Sequence, residues 1–569
     1  MRKRDYKDDI IYAMRFEPFL LLQLLLGYTL ASVCFVLGIS LQAWQFWVTV
    51  AAVVSAAFIY SRNIGFLVLG LNVLAFVLTL YTFTYVHIDA SICHLPVTHF
   101  LEDGWNPVRE SSIEAVRSCF ADRGLAETGL FSIMHIIASP KFSHILAAQM
   151  QSATGLFTAL GYPLWIMCIT LGAVAFRFAS CVWRSSRLTA AAFAVLVASN
   201  YIIAGNSFFG LVDYVTYASI VISALSLGMW FNSKNPIDLM MFFGGAVIAL
   251  SSKFNSLVCV AFLLLTAAGL GWKERRMRIA LAVFFISLAV FCIVPYWTSA
   301  WCHGSPFYPA HSFRSDVPLM DLTEDFIGNE DACRMGYVAR MVYAWISRRL
   351  AEWGCMMWYS LDAFAPSWRY DFLSTGENPF FCLLLWGGAA LSLFFNRNRV
   401  TLLGWVLMAA FFALPVKYIG YSRYVSYVFF IAVLFWFNVF AAASGRIGNC
   451  VRLLTTAFAV CAGGCFVVMF FSQVRAEGIR QVNIKRIAEK GTYGFSDSSS
   501  CWLYVLNHRL AAGGAVLNRQ NAHELEIGWP FELAGHGLHQ RDDSVCWSVS
   551  DGFPSPVWAT RNKKDGGCE

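Results

Sequence analysis

The feature that most constrains this chain is a series of long apolar segments, each followed by a short polar one. A helix needs about 20 apolar residues to cross the roughly 30 Å hydrocarbon core of a bilayer. Hydrophobic residues make up 58% of the 569 residues and charged residues only 14%, which excludes an ordinary soluble enzyme and a disordered chain. We predict an all-α polytopic membrane bundle with thirteen transmembrane helices, over residues 17–40, 44–60, 64–86, 154–176, 188–205, 211–231, 237–252, 255–272, 279–297, 379–395, 400–416, 425–443 and 453–472.

The positive charges between these spans alternate from one side to the other. The basic N-terminus and every second short connection belong to the same side, and they hold Arg2, Lys3, Arg4, Lys7, Arg62, Arg177, Arg184, Arg187, Lys234, Lys273, Arg275, Arg276, Arg278, Arg397, Arg399, Arg446 and Arg452. The positive-inside rule makes this side cytoplasmic. We therefore predict a multi-pass protein of the inner (plasma) membrane, with a cytoplasmic N-terminus and, after thirteen spans, an extracytoplasmic C-terminus.

Three segments on the predicted outer side do not resemble membrane spans. Two are loops, at about 87–153 and 298–378. The third is the tail, 473–569, which carries 11 Lys/Arg and 11 Asp/Glu, the charge density of a soluble domain. Its segments 500–506 and 544–549 have the composition of short strands. We predict two domains, a transmembrane domain over 1–472 and a small extracytoplasmic α+β domain over 473–569.

Two acidic residues and one histidine stand at predicted outer ends of spans. Asp89 follows the third span and Asp213 opens the sixth. An ionisable residue at such a position indicates either a catalytic carboxylate facing a pocket or a helix cap. Asp213 could hold an acceptor or tune the pKa of a neighbouring base. His94 could join an acid in holding a divalent cation or an acceptor, or bond to backbone at the surface. Its spacing matches no metal motif, so we assign no metal ligands and leave a divalent cation open as a cofactor.

Three cations lie at outer span ends, against the positive-inside bias. They are Lys253, Lys417 and Arg423, the last flanked by tyrosines such as Tyr424. Phosphate binding and snorkelling to lipid head groups are the two interpretations. The sequence contains no nucleotide-binding GxxxxGK[ST] or GxGxxG signature, no GxSxG elbow and no nucleic-acid patch. A transferase on this face would therefore need an activated donor supplied within the membrane, as a lipid phosphate.

These motifs together resemble a known group of enzymes. The stretches 89–96 (DASICHLP) and 103–107 (DGWNP) resemble the first outer loop of the GT-C fold glycosyltransferases. More narrowly they are similar to the group of protein mannosyltransferases and aminoarabinose transferases (family 39-like). Further similar segments are 304–309 (GSPFYP), 211–213 (LVD), 252–254 (SKF) and 422–424 (SRY). Cys93 stands where these enzymes often have tyrosine, and three spans lead to Asp89 where many have one.

The resemblance implies transfer of a sugar, with inversion, from a polyprenyl-phosphate donor to an acceptor glycan, lipid or protein on the outer face. Asp89 would be the general base and Asp213 would position a substrate. The three cations would stabilise the departing phosphate. Tyr308, His94 and Tyr424 would be substrate-binding residues.

Other functions fit parts of the same pattern. A transporter or flippase for lipid-linked glycans would need the basic outer residues but no base, and it predicts polar residues deep within the spans. A polysaccharide polymerase or ligase would suit the arginine-rich 298–378 loop. A structural membrane subunit could use the tail for docking.

Overall fold

The structure is a computed structural model that describes residues 15–80, 94–122, 137, 140–156, 159–199, 212–291, 293–306, 379–395, 398–414 and 427–442. It also describes positions 453, 456, 457, 460, 464 and 467, and five short strands between 492 and 563.

Sixteen α-helices lie within the described residues. They are α1 (Glu17–Leu37), α2 (Ala43–Tyr60), α3 (Arg62–Leu80), α4 (Leu95–Glu102), α5 (Ile113–Asp122), α6 (Phe142–Thr154), α7 (Gly161–Val182), α8 (Arg187–Ala198), α9 (Asp213–Ser233), α10 (Pro236–Ser252), α11 (Ser256–Gly271), α12 (Arg275–Phe291), α13 (Thr298–His303), α14 (Pro379–Phe395), α15 (Arg399–Phe412) and α16 (Tyr427–Ala442). A π-helical turn, Ile293–Trp297, joins α12 to α13.

Local sequence signals explain several helix ends. Asn235 caps α10 by accepting a hydrogen bond from the Ile237 backbone N–H, and Pro236 fits the first turn, where a missing N–H costs little. Ser186 caps α8 in the same way. Helix α1 ends at Gly38, whose φ of 82° is the left-handed conformation that glycine adopts most easily.

The predicted helical membrane protein is confirmed in its coarse form. Within the described residues, five helices are long and apolar enough to cross a bilayer, namely Glu17–Leu37, Ala43–Tyr60, Arg62–Leu80, Gly161–Val182 and Asp213–Ser233. Shorter apolar helices lie inside other predicted spans, among them α10, α11 and α15. The count of thirteen stays a prediction.

One predicted span is displaced. We expected a span over 154–176, but α7 runs from Gly161 to Val182. The reason lies just before it, where Gly155 takes a left-handed φ of 68° and ends α6 at Thr154. The shift moves Arg177 from a predicted loop into the last third of a helix.

Helices α9 and α10 form an antiparallel hairpin in the core of the bundle. Acidic residues at their edges, Asp213 and Asp238, weaken the sequence signals of the predicted sixth and seventh spans, yet every residue of α9 from Asp213 to Phe231 is buried. The two helices approach closely through small residues. A Cβ added at Gly245 would lie 2.5 Å from Ser223 Oγ and 2.8 Å from the Ser219 carbonyl oxygen. Small residues at a crossing let backbones approach this closely in membrane helices.

The predicted outer loop 87–153 contains a helix that belongs to the core. Residues 142–151 of α6 are all buried, and α6 packs against α1, α2, α4, α7 and α10. The DGWNP motif anchors the loop, because the Asn106 side chain donates a hydrogen bond of 2.9 Å to the Phe35 carbonyl oxygen near the end of α1. Much of this segment is therefore part of the bundle.

Within the described part of the tail, five strands form one sheet in the order β2-β1-β3-β4-β5. They are β1 (Thr492–Gly494), β2 (Val516–Leu517), β3 (Gly537–Gln540), β4 (Val545–Ser548) and β5 (Thr560–Lys563). Strands β3, β4 and β5 pair antiparallel. Strand β4 lies in the segment 544–549 that its composition assigns to a strand, whereas 500–506 lies outside the described residues. A separate extracytoplasmic domain stays a prediction.

Candidate functional site

The structure describes three of the eight residues that the sequence indicates for the site, Asp213, Lys253 and His94. The other predicted site residues lie outside the described residues: Asp89, Tyr308, Lys417, Arg423 and Tyr424.

Asp213 and Lys253 form an ion pair at one end of the α9–α10 hairpin. Asp213 is the first residue of α9, and Lys253 directly follows α10. Lys253 Nζ contacts Asp213 Oδ1, and their side chains are 17% and 1% exposed. An acid at a helix N-terminus and a cation at a C-terminus each interact favourably with the helix dipole. The sequence singled out both residues, and the fold brings them together across 40 positions.

The two carboxylate oxygens of Asp213 differ in their surroundings. Oδ2 is buried, and no hydrogen-bond partner for it exists among the described residues. Buried polar atoms nearly always have partners, because a lost hydrogen bond to water otherwise goes uncompensated. Oδ2 is therefore positioned to accept a hydrogen bond from a bound hydroxyl group.

His94 pairs with His144, a residue that sequence reasoning did not select. His94 Nδ1 lies 2.9 Å from His144 Nε2, and the two rings stack with centroids 5.1 Å apart at 28°. His94 immediately precedes α4, whereas His144 lies in the first turn of α6 and is 1% exposed. No local motif marks His144, since its partner lies 50 residues away. Its one sequence signal is its place in the predicted outer loop 87–153.

His144 and Lys253 share one electrostatic environment. Burial lowers the pKa of His144 well below 6.5, and the positive charges of His94, Lys141 and Lys253 lower it further, against a hydrogen bond with the Pro140 backbone. The His144 imidazole is therefore neutral at pH 7. We call His94, Lys141, His144, Asp213 and Lys253 the polar cluster.

Lys141 contributes an unusual lysine to the polar cluster. It is 1% exposed, donates a hydrogen bond of 2.9 Å to the Ile137 carbonyl oxygen and lies 5.5 Å from the centroid of the Trp105 ring. Burial lowers its pKa to about 7. Its charge therefore changes within the physiological pH range.

A second imidazole bridge joins the same two helices. Gln151 Nε2 on α6 lies 2.7 Å from His99 Nδ1 on α4, and Gln151 also contacts the Glu102 carboxylate. This bridge lies seven residues along α6 from His144, which corresponds to about 10 Å at the helical rise. It shows that glutamine can partner an imidazole between α4 and α6.

The opposite end of the α9–α10 hairpin holds a different set of charges. Arg177 Nη1 lies 2.5 Å from Glu17 Oε1, and its Nη2 lies 3.0 Å from Asp238 Oδ1. Arg15 approaches Asp238 at 3.6 Å, and the Ser233 hydroxyl donates to the second Asp238 oxygen at 2.7 Å. We call Arg15, Glu17, Arg177 and Asp238 the arginine cluster. The expectation that Arg177 lies in a loop is wrong, because it is buried inside α7, where it pairs with Glu17 of α1 and Asp238 of α10.

No group of three or more His, Cys, Asp or Glu within the described residues is arranged to hold a metal ion. No protein-family model, curated protein or solved structure matches this chain.

The chemistry that the polar cluster can support follows from its side chains. Asp213 offers an acceptor oxygen, Lys253 a cation, and the imidazole pair a place to hold a proton. A reaction in which a hydroxyl attacks and a phosphate departs uses a hydrogen-bond acceptor for the hydroxyl and a cation for the phosphate.

Proposed function

We propose that the protein is an integral membrane glycosyltransferase. It transfers a sugar from a polyprenyl-phosphate donor to an acceptor glycan, lipid or protein on the extracytoplasmic face of the inner (plasma) membrane. The observation that carries the proposal is the buried Asp213–Lys253 pair, whose open carboxylate oxygen lies at a helix end beside the histidine pair.

The hairpin supports the proposed placement in the bilayer. Helix α9 has 21 residues, so it is about 30 Å long, close to the thickness of the hydrocarbon core. Asp213 and Lys253 stand at one end. Lys234 stands at the other, 4.1 Å from the Trp230 ring centroid and 3.3 Å from Glu274. In the proposed thirteen-span topology the Lys234 end is cytoplasmic, and the C-terminal tail forms an extracytoplasmic domain.

The proposed reaction is a single displacement. Asp89 removes the proton from the acceptor hydroxyl while the hydroxyl oxygen attacks the anomeric carbon. The bond from that carbon to the phosphate oxygen breaks, the electron pair leaves with the polyprenyl phosphate, and the configuration inverts. Asp213 Oδ2 accepts a hydrogen bond that orients a substrate hydroxyl, and Lys253 stabilises the growing phosphate charge.

The residues outside the described part of the chain complete the proposed site. Lys417 and Arg423 add positive charge for the phosphate, and Tyr308 and Tyr424 bind the substrate together with His94 of the described part. A divalent cation is not required by this mechanism.

The test uses purified protein in lipid nanodiscs and a panel of polyprenyl-phosphate sugars. Release of polyprenyl phosphate is measured for the wild type, for Asp89→Asn and for Glu114→Gln, an exposed acid of the same loop. We expect Asp89→Asn to lose at least about 100-fold in turnover and Glu114→Gln to retain it. Full turnover by Asp89→Asn would remove the base from the mechanism. Absence of turnover with every donor would contradict the transferase.

One observation favours a transporter or flippase as the second candidate. Gln23, Asn72 and Tyr162 form a buried hydrogen-bonded triad between α1, α3 and α7. Gln23 Nε2 lies 2.8 Å from Asn72 Oδ1 and 2.6 Å from the Tyr162 hydroxyl. Polar groups within spans are expected along a transport path. A flip assay with a fluorescent lipid-linked glycan and no acceptor separates the transferase from the flippase. Only a flippase moves the intact lipid-linked glycan across the bilayer without releasing polyprenyl phosphate.

A further inference from the structure

The displacement proposed above gives His144 no role, although it is the most deeply buried titratable ring of the polar cluster. It touches His94 directly, and Lys253 is near enough to act on it through space. In a neutral pair, one ring donates its only N–H to the other across the 2.9 Å contact. Such a pair can accept one further proton and become a cation while keeping that contact.

We propose that the His94–His144 pair is the proton-accepting part of a phosphate monoester site. When a lipid phosphate dianion binds beside Lys253, the pair takes up one proton, and the resulting imidazolium of His94 becomes a second cationic ligand. His144 acts through His94 and is a positioning residue. The inference rests on the proposed function for the identity of the ligand.

The charges around the pair favour proton uptake only when an anion is present. Three groups act on His144 electrostatically. They are His94, which precedes α4, Lys141, which precedes α6, and Lys253, which follows α10. Asp213 neutralises Lys253 through their ion pair. Burial, the largest cause of the lowered His144 pKa, keeps the unoccupied pair neutral. A dianion placed beside Lys253 reverses the sign of the local potential and favours the protonated pair.

Proton uptake that depends on a phosphate dianion would distinguish the leaving group from the donor. The phosphate of a polyprenyl-phosphate sugar is a diester with a single negative charge. When the bond to the anomeric carbon breaks, the phosphate becomes a monoester that gains a second negative charge. A proton held on the pair would therefore stabilise the charge that appears only as the phosphate departs.

The test compares two ligands that differ by that second charge, farnesyl phosphate and its methyl diester. Their binding to the full-length protein in phosphatidylcholine nanodiscs is measured by calorimetry at pH 8, where the monoester is a dianion. Repeating each titration in buffers of different ionisation enthalpy gives the number of protons taken up.

For the wild type we expect uptake of about one proton with the monoester and none with the diester. His144→Gln should abolish the uptake and weaken monoester binding about tenfold, with diester binding unchanged.

The chain supplies matched controls for folding. The Gln151–His99 contact shows that a glutamine can partner an imidazole between these helices, so His144→Gln should keep the wild-type thermal midpoint. His99→Gln removes the other imidazole of α4 and should leave proton uptake intact.

Two results would overturn the inference in different ways. Farnesyl phosphate binding without proton uptake, or with equal uptake in the wild type and His144→Gln, would exclude the pair and leave the proposed donor chemistry standing. Failure of wild-type protein to bind farnesyl phosphate would remove the lipid-phosphate site itself, and the proposed function with it.

Discussion

The two ends of the α9–α10 hairpin hold buried charges that are organised in opposite ways. In the arginine cluster, two cations face two anions, and Asp238 also accepts a hydrogen bond from Ser233. In the polar cluster, Asp213 pairs through one oxygen while the other has no partner among the described residues. The first arrangement is suited to holding helices together, and the second leaves capacity for a ligand.

This difference shows how burial and pairing together separate structure from function. Both clusters are buried, so burial alone would not distinguish them. Every charge of the arginine cluster lies within 3.6 Å of an opposite charge, although Arg15 Nη1 and the Arg177 Nε and Nη1 make no hydrogen bond among the described residues. A buried charge paired in this way is costly to disrupt, because its removal leaves an opposite charge without compensation. A buried carboxylate that is only half paired marks a candidate binding position instead.

The largest expected effect is on stability, in the arginine cluster. Arg177→Met leaves Glu17 and Asp238 in the interior without their shared partner, and we expect the free energy of unfolding to fall by about 3–5 kcal/mol. Unfolding in mixed micelles measures the change. Arg187→Met is the control, because Arg187 is exposed at the start of α8. Equal stability of the two variants would remove the distinction between the clusters.

The next effect is on function, in the polar cluster. Lys253→Met should lower sugar transfer about 100-fold, since it removes a charge that stabilises the departing phosphate. It also leaves Asp213 as an unpaired buried acid, so stability falls. Adding Asp213→Asn should recover the lost unfolding free energy but not the transfer rate. Recovery of transfer in the double variant would assign the pair a purely structural role.

The polar cluster should also make the free energy of unfolding depend on pH, through Lys141. Lys141 has a pKa lowered to about 7 in the folded protein, whereas the unfolded chain keeps this lysine charged up to about pH 10. The unfolded state therefore binds more protons between these values, and stability rises with pH there by at most about 1.4 kcal/mol per unit. Lys141→Met should remove this rise. Identical slopes of unfolding free energy against pH in both proteins would contradict the buried, neutral lysine.

The smallest effect concerns the uncharged triad of Gln23, Asn72 and Tyr162 between α1, α3 and α7. Gln23→Leu removes both hydrogen bonds of the Gln23 amide, and interhelical bonds of this kind contribute about 1 kcal/mol in membranes. We expect a stability loss of that size and unchanged sugar transfer. A normal stability with loss of lipid flipping would instead favour the transporter.

Sequence reasoning located single residues of the site better than it located their partners. Asp213 stood out as an ionisable residue at a predicted span end, and Lys253 as a cation on the predicted outer side, against the positive-inside bias. Their contact, and that of His94 with His144, depends on tertiary packing across 40 and 50 positions. One-dimensional patterns carry no information about such pairs.

The errors in the fold have equally specific causes. Hydropathy placed a span over 154–176, because it does not register the left-handed Gly155 that separates α6 from α7. It also assigned Arg177 to a loop, although buried acids can hold an arginine inside a helix. Asp213 at its start weakens the sequence signal of α9, yet α9 is the most completely buried of the five long apolar helices.

Because α9 and α10 pack closely, a change in the middle of the α9–α10 hairpin would alter the position of the Asp213–Lys253 pair at its end. Gly245 lies eight residues before Lys253, about 12 Å along α10. An added methyl group there would meet Ser223 Oγ at 2.5 Å and the Ser219 carbonyl at 2.8 Å. The helices would have to pivot apart about this point, and the rotation would separate Lys253 from Asp213. A genetic screen would therefore recover Gly245 among inactive variants, although this residue has no side chain with which to take part in chemistry.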